Sequence, residues 1–313
     1  MPFDFAAVKA PFRMQPGLRR LAPGAAQLSP NRIDSAALGP KLAVLSRHAG
    51  QALVAAPGFD AAPALRALAA QAATEHPEAF SWDGADRFDA HHLGWSLRGG
   101  QPEGDGPGPI GACLDALPVE WRLAALLSLA FAEDFALIDG ASAQIPWMAV
   151  CLPSHWAPEA KVGRHFAEVH APVADNQLLL SAGEHLARLV TGDERWERFV
   201  WTITRQPQLD THPARCAPSD WPTQDSADAL AAGAFFRTER QTFIPLPLQR
   251  QAIFTIHVDV QALTQAITES AHARQLHDAL ASMSANVLAY RHLTDARARL
   301  LAWLSARAGQ AGE

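Results

Sequence analysis

Apolar spacing divides the chain into helical ends and an alternating middle. Asp34 or Ser35 can cap a helix running to about Ala55, and Asp60 can cap a second in which Leu65, Leu68 and Ala72 share a face. Pro118 opens a strongly apolar helix from Val119 to about Phe131. The period then shortens toward two. Phe135 to Ile138, closed by Asp139-Gly140, and Trp147 to Leu152 read as a hairpin. Phe199-Val-Trp-Thr-Ile203 alternates, with Phe199, Trp201 and Ile203 on one face. Phe235 to Phe243 and Ala252 to Val258 are two more strands, joined through Pro245 and Pro247. Short helices are expected from Pro158 to about Glu168 and from Ser181 to Val190. Asp259 can cap a closing helical region to about Ser282, and another runs from about Ser284 to Arg307. Residues 1–33 read as an extended lead-in, and Gly99 to Gly111 as a flexible loop. The pattern predicts an α+β fold, with a central, mostly antiparallel sheet of about five strands between N-terminal and C-terminal helices. The divisions that follow are 1–117, 118–260 and 261–313.

Composition narrows the function classes. The 313 residues are 49% hydrophobic and 19% charged with a net charge of −6, which suits a folded globular chain and gives no basic footprint for nucleic acid. Lysine occurs only at Lys9, Lys41 and Lys161. Cys113, Cys151 and Cys216 are widely spaced without a CxxC pair, so neither a zinc ribbon nor an iron–sulfur site has its usual signature, and a reducing cytoplasm is expected. Met1 to Phe12 lacks the apolar core of a signal peptide, and no run approaches the ~18 apolar residues of a membrane span. Walker, GxSxG and convincing GxGxxG motifs are also missing.

Two stretches place charge where the pattern reads as buried. One runs from Cys151-Leu-Pro-Ser-His-Trp156 through Lys161 to His170-Ala-Pro-Val173; the other is Arg237-Thr-Glu-Arg-Gln-Thr242. Burying charge is costly unless it is paired or used. Pro172 pushes the segment around His170 toward extended geometry, which would leave the imidazole free to ligate a metal or to bond to backbone. His165 stands five residues earlier, the wrong spacing for two ligands on one helical face. Along the second stretch Arg237, Glu239 and Gln241 share one face, and Thr238, Arg240 and Thr242 the other. These charges suit either a Glu239–arginine pair at a sheet edge or the anchoring of an anionic group by Arg237 or Arg240. His257 and Cys216 are rival donors, one on a strand and one in a loop.

Pro11-Phe-Arg-Met-Gln-Pro-Gly-Leu18, Glu133-Asp134-Phe135, Pro153-Ser-His-Trp156, Lys161-x-Gly163, His170-Ala-Pro-Val173, Glu239-Arg-Gln-Thr242 and Phe254-Thr-Ile256 occur in that order. Together they resemble the haem-dependent oxidative N-demethylase family, the catalytic α subunit of a dimethylamine monooxygenase, from about Pro11 to Val260. The resemblance implies a PAS-like haem-binding core and haem b. It also implies O2-dependent demethylation of a small methylated amine with release of formaldehyde. Electrons would come from a flavin-dependent reductase with a ferredoxin-like carrier, and a folate-binding partner would take the formaldehyde. Position by position, it makes His170 the axial iron ligand rather than His165, His257 or Cys216. Lys161, Arg237, Arg240 and Trp201 fall around the cofactor, and Glu239 and Arg240 at the reacting end. Ala174, Val200 and His257 depart from the family's pattern, and Val200 removes a polar side chain that would line the pocket, which leaves the choice of amine open. Because fold does not fix function, a non-catalytic haem or small-ligand sensor is a second expectation, and a haem-free scaffold a third.

Overall fold

The computed structural model describes residues 3–309. Its strands are β1 (Arg19–Arg20), β2 (Leu53–Ala55), β3 (Phe80–Trp82), β4 (Arg87–Ala90), β5 (Trp95–Arg98), β6 (Gln101–Gly104), β7 (Asp134–Asp139), β8 (Gln144–Ala149), β9 (Trp196–Thr204), β10 (Phe235–Leu246) and β11 (Gln251–Ala262). They form a seven-stranded sheet of order β1-β9-β10-β11-β7-β8-β2 and a four-stranded meander β3-β4-β5-β6, with every pairing antiparallel. The α+β class holds. The five expected strands are the five long ones. The sheet has seven because two segments too short for any periodicity, β1 and β2, add an edge strand at either side.

The helix expected from Pro158 to about Glu168 is instead a 3-10 turn over Pro158–Ala160 and a separate helix over Phe166–His170. Three further differences arise because pairing or turn chemistry overrides a local signal. The first long helix stops at Ala52, and Leu53–Ala55 leaves it to pair with Trp147–Ala149. Asp259 caps no helix: it continues β11 opposite Thr238, where the Val258–Val260 alternation keeps the ladder running. The closing helices span Leu263–Ala266, Ser270–Ala281, Ala285–Tyr290 and Arg297–Gly309. Gly99 to Gly111 is not a flexible loop. Gly99 and Gly100, at φ +55° and +79°, form the two-residue turn between β5 and β6, and a helix follows over Gly108–Ala116.

Alternation gives the large sheet two different faces. On one, Phe135, Leu137, Trp147, Ala149, Ile244 and Ile253 pack under the N-terminal helices and the small sheet. The same face of β9 and β10 carries Trp201, Ile203 and Phe236 into the C-terminal helices. Fully burying one such side chain contributes roughly 1.5–3 kcal/mol. The opposite face is covered by the crossover from β8 to β9, residues 150–195. That connection must pass over β7, β11 and β10, because β8 and β9 lie on opposite sides of them. It rests on Ala136, Met148 and Phe254 through Val169, and on Ile138, Phe243 and Ala252 through Ala187 and Val190. No helix among the described residues is long and apolar enough to cross a membrane.

Candidate functional site

The crossover face carries the chemistry. Arg198, Val200 and Thr202 of β9 line up with Gln241, Glu239 and Arg237 of β10, and Val258 flanks Glu239 on the other side. The crossover lays Ser154, Trp156, Lys161 and His170 over this row.

His170 is not in extended backbone. It ends the helix Phe166–His170, and Ala171 is itself right-handed helical at φ −56°, ψ −38°. A proline disfavours helix at the preceding residue but does not forbid it. Here the turn is held at both ends. His165 and Glu168 form a capping box, and Asn176 Nδ2 donates to the carbonyls of His170 (3.1 Å) and Ala171 (2.9 Å). The helix gives His170 a neighbour that the extended reading denied it. Its Nδ1 lies 2.9 Å from the Phe166 carbonyl, and its ring stacks on the Phe166 ring with centroids 4.0 Å apart. A carbonyl only accepts, so Nδ1 carries the proton and Nε2 keeps a bare lone pair. Burial, with Lys161 and Arg198 nearby, lowers the imidazole to about 4, so the ring is neutral at ordinary pH.

Around it positive charge is in excess. Lys161 is lowered to about 8 by burial, and its ammonium lies over the Trp156 ring at 4.3 Å. Burial also pushes Arg198 down, and its Nε is enclosed with no hydrogen-bond partner. Farther from His170, Arg291 comes to β9 from the C-terminal helices, lies over the Phe12 and Trp201 rings at 4.7 and 5.7 Å, donates to the Trp201 carbonyl and is lowered to about 10 by burial. Among the described residues none of these three, nor Arg237, pairs with a carboxylate. Glu239 is the anion they share, and it accepts from Ser154 Oγ and from Gln241 Nε2 at 2.6 Å. Lys161, Arg198 and Glu239 are each half-buried.

The other expected residues lie elsewhere or are engaged. Arg237 is on the correct face but 2% exposed. Its guanidinium is taken up by Ser154 Oγ (2.9 Å) and the carbonyls of Gln208 (2.9 Å) and Leu209 (2.8 Å), leaving little for an outside anion. Arg240 and Trp201 are on the opposite face, as alternation requires. Arg240 binds Glu197 Oε2 and the Ala26 carbonyl, both at 3.0 Å, and Trp201 packs against Phe236 and Phe12. Neither meets His170 or Glu239 across the sheet. The Glu239–arginine edge pair is also absent, because β10 is an interior strand. His165 spends Nδ1 on the Ala167 amide, and His257 Nδ1 bonds Glu133 on the far face at 2.9 Å. Cys216 accepts from Gln206, and burial raises its thiol away from thiolate.

Sequence reading passed over Arg198, Ser154 and Arg291. The alternation that put Phe199, Trp201 and Ile203 on one face puts Arg198 on the other, so that signal was present. Ser154 lay inside a quoted motif without a role. Arg291 has no local signal, because only the fold carries it from the C-terminal helices to β9.

A haem asks for an axial donor with a free lone pair and for cations to meet two carboxylates. His170 Nε2 and the unpaired Arg198 and Lys161 fit both demands. Among the described residues no three His, Cys, Asp or Glu gather into a metal cage. Two shallow clefts of about 330 and 240 Å³ lie on the small sheet, beside Asp89 and Glu103 and beside Trp82 and Val119; neither contains this unpaired charge. A family model described as haem-dependent oxidative N-demethylase, alpha subunit-like, matches residues 40–301. It leaves out the Pro11–Leu18 segment and takes in the crossover, the five long strands and Arg291. With most of its length matched, the protein belongs to the haem-dependent oxidative N-demethylase, alpha subunit-like family.

Proposed function

We propose that this protein is a monooxygenase that removes a methyl group from a small methylated amine, using O2, a haem b and electrons delivered by partner subunits. The observation that carries the reading is His170: a neutral imidazole, fixed through Nδ1, whose Nε2 has no hydrogen-bond partner among the described residues and which stands near Lys161 and Arg198, two cations that form no ion pair there. Fixing the distal nitrogen orients a metal-binding histidine and sets its basicity. Arg198 and Lys161 would take the propionates, with Arg291 behind them. Bound there, the haem supplies oxygen activation and the oxidation that releases the methyl carbon as formaldehyde. The chain's own part is to hold the iron from one side, exclude bulk water with the crossover, and offer Glu239 to the ammonium group of the substrate. Val200 and Val258 wall Glu239 on either side in register, so the amine's alkyl groups meet apolar surface.

The PAS-like reading has support in strand order. Taken in chain order, the five long strands run 2-1-5-4-3 across the sheet, with the helical crossover between the second and third. Three free cysteines suit a reducing cytoplasm, where flavin-dependent reductase, ferredoxin-like and folate-binding partners would be met.

Purified, haem-loaded protein is expected to show a Soret band that shifts on reduction and with carbon monoxide, and to release formaldehyde from dimethylamine with a surrogate reductant. His170→Ala should abolish or strongly alter the band; an unchanged spectrum removes His170 as ligand. A ligated haem without formaldehyde would leave a sensor in its place.

A further inference from the structure

We propose that Ser154 is the positioning residue for Glu239, and that the Arg237–Ser154–Glu239 relay makes the site selective for the cationic form of a small amine. The inference rests on the proposed reading of Glu239 as the amine-binding carboxylate.

The donor and acceptor inventory fixes the relay. A guanidinium only donates, so Ser154 Oγ must accept from Arg237 Nε at 2.9 Å. The hydroxyl's single proton then goes to Glu239 Oε1, its other partner. That oxygen must be bare to receive it. Gln241 Nε2 donates to Oε2 at 2.6 Å, so the second oxygen is an acceptor as well. One lone-pair direction on each Glu239 oxygen is thus used by protein, which leaves the others for a ligand. A cationic N–H satisfies those directions; a neutral amine, whose nitrogen lone pair faces a carboxylate, does so less well.

Both ends of the relay are immobile. The Gln208 and Leu209 carbonyls hold the Arg237 guanidinium. Buried Thr211 clamps the backbone around Ser154. Its Oγ1 accepts from the His155 amide at 3.0 Å, and its own hydroxyl and amide donate to the Pro153 carbonyl at 2.9 and 3.1 Å. His155 adopts φ +62°, which turns the chain so that Ser154 faces β10. The valines beside Glu239 offer no hydrogen bond, so Ser154 and Gln241 are its only described polar supports on this face. This is preorganisation: a carboxylate fixed before the ligand arrives loses less freedom on binding.

The test titrates haem-loaded protein with dimethylamine and follows both the optical change and formaldehyde formation. Ser154→Ala is expected to raise KM and the apparent Kd about tenfold, since a hydrogen bond to a charged group is lost. kcat should change much less, and haem content and Soret maximum should not change. Ser154→Thr, which keeps the hydroxyl, should restore wild-type affinity. Glu239→Gln should weaken binding further. Wild-type affinity in Ser154→Ala with weakened binding in Glu239→Gln overturns the positioning role alone. An affinity loss that only parallels haem loss overturns it too, as a structural effect. If Glu239→Gln binds dimethylamine like the wild type, the reading of Glu239 itself fails. Should Ser154→Ala not fold, Ser154→Cys, of similar volume but a poor donor, takes its place with the same outcomes.

Discussion

Lys41 and Lys161 are two of three lysines in the chain, and the regions around them treat enclosed charge in opposite ways. Lys41 is fully buried and saturated. Its ammonium donates to the carbonyls of Phe131 (3.2 Å) and Glu133 (2.7 Å) and stands 3.0 Å from Asp134 Oδ1. The neighbouring groups follow suit, with Arg240 paired to Glu197 and the His257 ring bonded to Glu133. Burial alone would raise the Glu133 carboxyl, but the bonds from His257 and Ser29 outweigh it and hold it below the usual range. Lys161 meets an aromatic face, and among the described residues neither it nor Arg198 forms an ion pair. A region whose charges close among themselves is structural. In the proposed reading, one left with surplus positive charge takes an anionic guest, and that difference is the ground on which the site was chosen.

The comparison breaks most visibly at Lys41. Lys41→Met leaves Asp134 buried without its cation, and urea unfolding of haem-free protein should show a loss of about 3–5 kcal/mol. Lys161→Met should go the other way: removing a desolvated charge that has no partner stabilises the haem-free protein by about 1 kcal/mol, while haem retention against a competing apo-globin falls about tenfold. A large destabilisation by Lys161→Met would erase the contrast between the two regions.

A pH series sharpens it further. The His170 imidazole is depressed to about 4 in the folded state from the usual 6.5. Between those values the unfolded chain binds the proton and the folded chain does not, so stability falls as pH drops from about 6.5 toward about 4. His170→Ala should lessen that slope in haem-free protein, the rest coming from His155, which burial also lowers to about 4. The Glu133 contribution has its own window: with a depressed folded value, it is lost only as pH falls below the ordinary carboxylate range. The smallest effect is expected at Arg240. Arg240→Gln should leave the Soret maximum of the loaded protein unmoved, because a sheet separates it from His170; a shifted band would return Arg240 to the haem side.

Much of this was legible along the chain. Period two identified five strands, and the same alternation separated Arg237, Glu239 and Gln241 from Thr238, Arg240 and Thr242. Followed consistently, it also separates Arg240 and Trp201 from Glu239 and adds Arg198, which the sequence reading passed over. The four-stranded sheet escaped notice because Gln101-Pro-Glu-Gly104 has almost no strand-forming residues; it is held by the Gly99-Gly100 turn and by Phe88 and Leu97 packing inward.

The amino-acid sequence by itself determined the helical ends, the long antiparallel strands and the face on which each strand residue lies, because those follow from local spacing and turn chemistry. It also determined which residue types were available for the chemistry. Only the tertiary structure decided that Arg237 is spent on Ser154 and two carbonyls, that Lys41 closes on Asp134 while Lys161 closes on nothing, and that Arg291 comes to β9 from the far end of the chain. Charge pairing depends on distances of a few ångströms between segments far apart in sequence, and spacing along one strand carries no information about them.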